Sequence, residues 1–214
     1  MPEGQMMMKL YDKNDMVKAG CHDCKGCSSC CRGMGDTVIL EPFDVYRLTT
    51  GLGKSFEELM NKKIALHVEE GIILPHILME EESGHCVFLN EEGRCRIHAY
   101  RPGLCRIFPL GRSYEDGALK YFLLEGCPAE NKTKVKVEKW IDTPDLRQNE
   151  KFLVTWHYLI KALREKTEEA QTVNVLLLKI FYFMPYSEEV DFYSQFNERR
   201  ALFEEMLQTG KAES

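Results

Sequence analysis

The chain has 214 residues, 44% of them hydrophobic and 29% charged, a balance typical of a globular protein large enough to bury its own core. Its net charge of −6 argues against nucleic acid as a main partner, because phosphate binding needs a cationic face. No apolar run reaches eighteen residues, so no membrane span is expected.

Residues 1–20 are polar and methionine-rich without periodicity, and are expected to form a flexible lead-in. They lack the apolar core of about 7–15 residues that marks a secretory signal. A cytoplasmic location with reduced thiols is therefore expected.

Residues 21–31 read C-H-D-C-K-G-C-S-S-C-C and hold five of the nine cysteines. Cys21, Cys24, Cys27 and Cys30 fall three apart, so their thiolates can converge from a wrapped loop or one helical stripe. Three ligands in C-x2-C-x2-C spacing commonly hold an iron–sulfur cubane, with a fourth arriving from elsewhere. Zinc sites also use C-x2-C pairs, usually as separated knuckles. Cys31 directly follows Cys30, and neighbouring side chains diverge in either regular structure. One of the two is expected to serve a second metal or to stay a free thiol. A disulfide framework is the competing reading, but it needs an oxidising compartment, and bridges within so short a segment would be strained.

Gly33 and Gly35 break the chain, and T-V-I-L (37–40) reads as a short strand. Pro42 opens a helix with Phe43, Val45, Tyr46 and Leu48 available to the core, and Gly51 and Gly53 end it. Ser55 and Glu58 form a capping box for a second helix carrying Phe56, Leu59 and Met60. Residues 72–79 read as one or two strands with Pro75 at an edge. C-V-F-L (86–89), the turn N-E-E-G and R-C-R-I-H (94–98) predict a β-hairpin that brings Cys86 and Cys95 together. Residues 101–109, bounded by prolines, predict one helical turn or a tight loop. A second hairpin, 110–114 with 119–124, delivers Cys127-Pro128. Lys132, Lys134, Lys136 and Lys139 alternate with apolar residues, as on the solvated face of a strand.

From Pro144 the pattern is helical. Asp145 is placed to cap a helix bearing Leu146, Phe152, Leu153, Trp156, Leu159, Ile160 and Leu163 at core spacing. Residues 173–185 fit buried helix or strand, and Ser187, Glu188 and Glu189 begin a last amphipathic helix to about Gln208. The expected fold is α+β. A small cysteine-rich metal-binding core of short strands, hairpins and helices (21–143) carries a C-terminal helical cap (144–214), which packs on it or binds a protein partner.

Arg94, Arg96, Arg101, Arg106 and Arg112 interleave with Cys95 and Cys105. Guanidinium groups favour thiolates, so Arg101 and Arg106 are expected beside the ligands; the alternative is a solvated outer face. His22, His85 and His98 each lie near a cysteine, but the cysteines alone suffice for two four-ligand sites.

C-K-G-C-S-S-C-C, then D-V-Y-R-L, C-V-F-L, G-R-C-R-I-H-A-Y-R-P-G-L-C-R-I-F-P and a late C-P occur in order between about residues 20 and 128. In these motifs the chain resembles the YkgJ-type cysteine-cluster family of zinc- or iron-chelating domains. The resemblance implies Cys24, Cys27, Cys30, Cys31, Cys86, Cys95, Cys105 and Cys127 as metal ligands, with Cys21 extra to the pattern. A flagellin lysine methylase is similar in its cysteine motifs and gives the one enzymatic analogy. The expected function is metal binding, with a 4Fe–4S cluster preferred over zinc, in a redox, metal-handling or structural role. The alternatives are a lysine methylase-like enzyme using S-adenosylmethionine, for which no G-x-G-x-x-G loop is visible, and a zinc-stapled interaction module.

Overall fold

The computed structural model describes residues 8–21, 27–60, 62–166 and 170–212. The architecture is α+β. Among the described residues three antiparallel sheets form its β part. β5 (Leu110–Glu115) and β6 (Ala118–Leu123) make the hairpin expected from the sequence, with β1 (Leu10–Tyr11) added on the far side of β6. Its Asp116-Gly117 turn has both residues at positive φ, the geometry that matches the twist of paired strands. β2 (Met16–Gly20) pairs with β7 (Thr133–Lys136), and β3 (Ile64–Glu69) with β4 (Ile72–Ile77).

Strands at Leu10–Tyr11 and Met16–Gly20 stand where the sequence suggested a flexible lead-in over 1–20, of which residues 1–7 lie outside the described residues. Val17 and Ala19 are fully buried while Met16 and Lys18 face outward, a two-residue alternation too short to register as periodic. β3 is likewise an addition. It runs in full register against β4, with Leu66 opposite Pro75.

α1 (Pro42–Leu52) begins as expected, with proline in its first turn and Glu41 and Asp44 forming a capping box. It runs through Gly51 and ends at left-handed Gly53. Gly51 stays inside because the Tyr100 ring packs on its Cα, leaving no room for a side chain. α2 (Phe56–Leu59) carries the Ser55–Glu58 capping box.

Two expected strands are reduced to single bridges. T-V-I-L contributes only Ile39 opposite His76, and the 86–98 hairpin only Leu89 opposite Cys95. The turn between is closed by the Arg94 and Gly93 N–H groups donating to Asn90. The Asn90 N–H to Arg94 and Arg96 N–H to Phe88 bonds still cross the hairpin, but at its start the Cys86 N–H donates to Cys31 and the Val87 N–H to Leu78, so the pairing extends no further. α3 (Gly103–Ile107) is the short turn expected between the prolines.

α4 (Val137–Ile141) follows β7, and α5 (Leu146–Arg164) buries the predicted stripe at Phe152, Leu153, Trp156, Ile160 and Leu163. Asp145 precedes α5, but its side chain makes no cap bond; its carbonyl accepts from Gln148 and Asn149 instead. The ambiguous 173–185 stretch is helical: α6 (Ala170–Leu178) passes into a π-helical turn, Lys179–Phe183. α7 (Phe192–Ala212) begins later than expected, with Asp191 accepting from the Ser194 N–H.

Two apolar clusters result. The larger joins α1, β3 and β4 to α5, α6, the π turn and α7. The smaller collects Val17, Ala19, Ile107, Leu110, Tyr121, Val137 and Ile141. His157, the histidine of the C-terminal helices, lies flat on Tyr114 of β5, with ring centroids 3.9 Å apart. Among the described residues no helix is long and apolar enough to cross a membrane.

Candidate metal centre

Three parts of the chain meet over one cavity. A single 3-10 turn, Ser29–Cys31, is closed by the Cys31 N–H donating to Ser28. The Cys31 carbonyl then accepts from the Cys86 N–H at 2.8 Å, which stitches the cluster to the loop after β4. The Leu89–Cys95 bridge holds Cys95 beside that loop, and α3 presents Cys105. The cavity is ≈ 180 Å³ and is lined by Cys27, Cys30, Cys31, Cys86, Cys95 and Cys105. Val38 and Ile77 of the larger core, together with Phe108 and Trp140, give it apolar wall.

Cys30 and Cys31 do not diverge, contrary to expectation. Both line the cavity, their Sγ atoms 4.0 Å apart, on a single 3-10 turn whose Cys31 carbonyl is anchored to the Cys86 N–H. Cys27 stands exposed at the rim, its thiol 3.6 Å from Ser29 Oγ. Cys127 is not among the lining residues; its carbonyl accepts from Lys132 Nζ. Cys24 lies outside the described residues, as does His22. His98 lines the cavity, whereas His85 hydrogen-bonds Arg32.

The thiols perturb one another. Burial drives the Cys105 thiol far above its usual range, and the charges of Cys30, Cys86 and Cys95 add to that. Burial raises Cys86 and Cys95 as well. Cys30 is the exception, lowered to about 6 chiefly by the hydrogen bond from the Cys31 thiol, which is raised in turn. Among the described residues, no three Cys, His, Asp or Glu groups converge closely enough to hold an ion as they stand. The donors surround a shared space. Packing sulfur donors that oppose each other's ionisation is costly unless a cation compensates, and soft thiolates suit zinc or iron. The residues therefore fit a thiolate-bound metal, which Cys27, Cys30, Cys31, Cys86, Cys95 and Cys105 would hold.

Both arginines singled out from the sequence line the cavity, but in different company. Arg101 favours ionisation of Cys30 and Cys95 and hydrogen-bonds His98. Arg106, only 5% exposed, is influenced by Asp44, Arg47, Arg112 and Glu41. Those carboxylates form a buried network that sequence reasoning missed. Asp44 accepts from the Gly103 and Glu41 N–H groups, and Arg112 donates to Glu41 at 2.6 Å. The signal was present in E-P-F-D, a capping box whose acidic members sit before an arginine-rich stretch. Arg94 also lines the cavity; Arg96 does not.

A family profile matches residues 23–139, more than half of the chain and the whole cysteine frame from Cys24 to Cys127. The chain belongs to the CxxCxxCC family. That family is described as a zinc- or iron-chelating domain, in keeping with the donor chemistry of the cavity. No curated protein and no solved structure matches the chain.

Proposed function

We propose that this CxxCxxCC protein holds a redox-active iron–sulfur cluster in the cytoplasm and serves electron transfer or metal handling. The observation that carries the reading is the gathering of six cysteines, from three separate parts of the chain, around one cavity. The C-x2-C-x2-C-C spacing at Cys24, Cys27, Cys30 and Cys31 favours a cluster over a lone zinc ion. When bound, a cluster would supply one-electron chemistry. The protein's part is to provide thiolates, to shield them with Val38, Ile77 and Trp140, and to offset their charge with Arg101.

Anaerobic purification followed by iron, zinc and labile-sulfide analysis tests this. Iron and sulfide in matching amounts are expected; stoichiometric zinc without sulfide, from cells supplied with iron, would replace the cluster by a zinc centre. Cys30→Ser and Cys105→Ser are expected to lose most of the bound metal. Cys127→Ser is expected to retain it, and loss there would return Cys127 to the ligand set that the family resemblance implies.

A further inference from the structure

The β3–β4 hairpin carries two histidines that the cysteine centre does not use. His67 and Glu69 of β3 share one face of the hairpin with His76 of β4, since Ala65 stands opposite His76 and strand residues two apart face the same way. Ile77, the next residue along β4, lines the cysteine cavity, so His76 points to the other face. The small Ala65 side chain lets the two imidazoles meet on the diagonal, with ring centroids 5.9 Å apart. Two imidazoles bound to one zinc ion at about 2.0–2.1 Å have centroids roughly 5–6 Å apart.

Each ring has its Nδ1 committed to an oxygen. His67 Nδ1 lies 2.9 Å from Asp36 Oδ2, and His76 Nδ1 lies 3.2 Å from the Ile77 carbonyl. A carbonyl oxygen only accepts, so the neutral His76 ring carries its proton on Nδ1 and its lone pair on Nε2. The Asp36 carboxylate sets the neutral His67 ring the same way. Metal-binding histidines are oriented by such a bond on the far nitrogen. His76 is only 8% exposed, yet its Nε2 hydrogen-bonds no described residue and is not closed off from solvent. Glu69 brings a carboxylate oxygen 3.9 Å from His67 Nε2.

We propose that His67, His76 and Glu69 form a metal site separate from the cysteines, for a divalent ion of the zinc class, with Asp36 as the positioning residue that fixes His67. Two imidazoles and one carboxylate are a zinc donor set, with a fourth position left to water. The three donors do not close on one point as they stand. Glu69, its side chain 43% exposed at the end of β3, is the group that turns inward to complete the set. The site shares no residue with the thiol cavity, so it stands whichever metal the cysteines hold.

The purified full-length protein, its metal content and free thiols measured first, would be dialysed against zinc. One further zinc ion per chain is expected, with the free-thiol count unchanged. Long-range proton–nitrogen spectra of the imidazoles should show Nε2 of His67 and His76 shifting on zinc addition while both Nδ1 keep their protons. His67→Gln should weaken this uptake at least tenfold, and Asp36→Asn by about 10–100-fold. His157→Gln, a histidine on α5 outside the site, should leave it unchanged. His76→Gln should abolish it; if burial of that residue prevents folding, the more exposed His67 and Asp36 positions still decide. No further zinc, full uptake by folded His67→Gln, or rings that respond to pH and not to zinc would overturn the site and leave a His67–carboxylate ion pair only. Absence of metal on the cysteines in the same samples would instead count against the cluster.

Discussion

Thiols as close as Cys30 and Cys31 cannot ionise independently: a proton held by Cys31 stabilises the charge on Cys30, and a second negative charge would repel the first. Nucleophilicity follows the thiolate. In metal-free protein at pH 7, iodoacetamide should therefore label one member of this pair first, and Cys105, held neutral by burial, last. Peptide mapping by mass spectrometry checks the order, and equal labelling of Cys30 and Cys105 would contradict it. Asp44 gives a second residue-scale expectation. Burial, with the neighbouring Glu41 carboxylate, raises its pKa to about 6, above the unfolded value of about 3.9. The folded chain thus retains a proton that the unfolded chain gives up between about pH 4 and 6, and this carboxyl's contribution to stability falls as pH rises through that window. The fall is on the order of 2–3 kcal/mol. Asp44→Asn should flatten the slope in urea titrations at a series of pH values, at the expense of the bond from the Glu41 N–H.

At the scale of elements, the π-helical turn depends on one side chain from another helix. Arg199 of α7 donates to the carbonyls of Ile180, Met184 and Pro185, and its guanidinium stacks on Tyr186, 3.7 Å from the ring centroid. Those carbonyls end a helix and lack intrahelical partners. Arg199→Leu should cost about 2–4 kcal/mol, given roughly 1.5–3 kcal/mol for bonds to a charged donor and the carbonyls left bare. Thermal unfolding measures it. A loss below about 0.5 kcal/mol would mean that water substitutes. Phe203→Ala, which empties a fully buried position in the same core, should cost about 3–5 kcal/mol.

Elements governed by local rules were legible in the sequence. Ser55 and Glu58 cap α2, Asp116-Gly117 turns the β5–β6 hairpin, and the α5 stripe is buried as its spacing requires. What escaped depended on distant partners. β2 exists because β7 pairs with it from the far side of the cysteine region. The 86–98 segment gives its first two N–H groups to Cys31 and Leu78, so its own pairing is confined to the turn around Leu89 and Cys95. For the centre, six of the seven expected cysteines that lie among the described residues line one cavity, while Arg101 and Arg106 part company because only the fold brings Asp44 beside the second of them.

Across the whole molecule, the cysteine region leans on the apolar clusters, with Cys86, Cys95 and Cys105 packed against the larger of them. Its walls belong to apolar clusters built from both halves of the chain, with Leu40, Phe43 and Ile77 packed in the same cluster as Phe152, Phe181 and Phe203. The helices after Pro144 complete the core. Metal should therefore raise the melting temperature by mass action without being required for the folded state, unlike small metal-nucleated domains. Chelator-treated protein should keep its helical circular dichroism and a cooperative, lower-temperature transition. Loss of that transition would show that the two apolar clusters cannot hold the frame alone.

The β2–β7 pairing closes residues 21–132 into a ring, with Gly20 set against Thr133 so tightly that a side chain at position 20 would strike the Thr133 hydroxyl. In polymer terms, the entropy of bringing the far ends of this ring together, which grows as the logarithm of loop length, is offset by the backbone hydrogen bonds of this pairing and does not fall on a ligand. Metal then has only short internal distances left to fix. If the centre is stripped of metal, the ring closure should remain, so that rebinding would not require the chain to find its ends again.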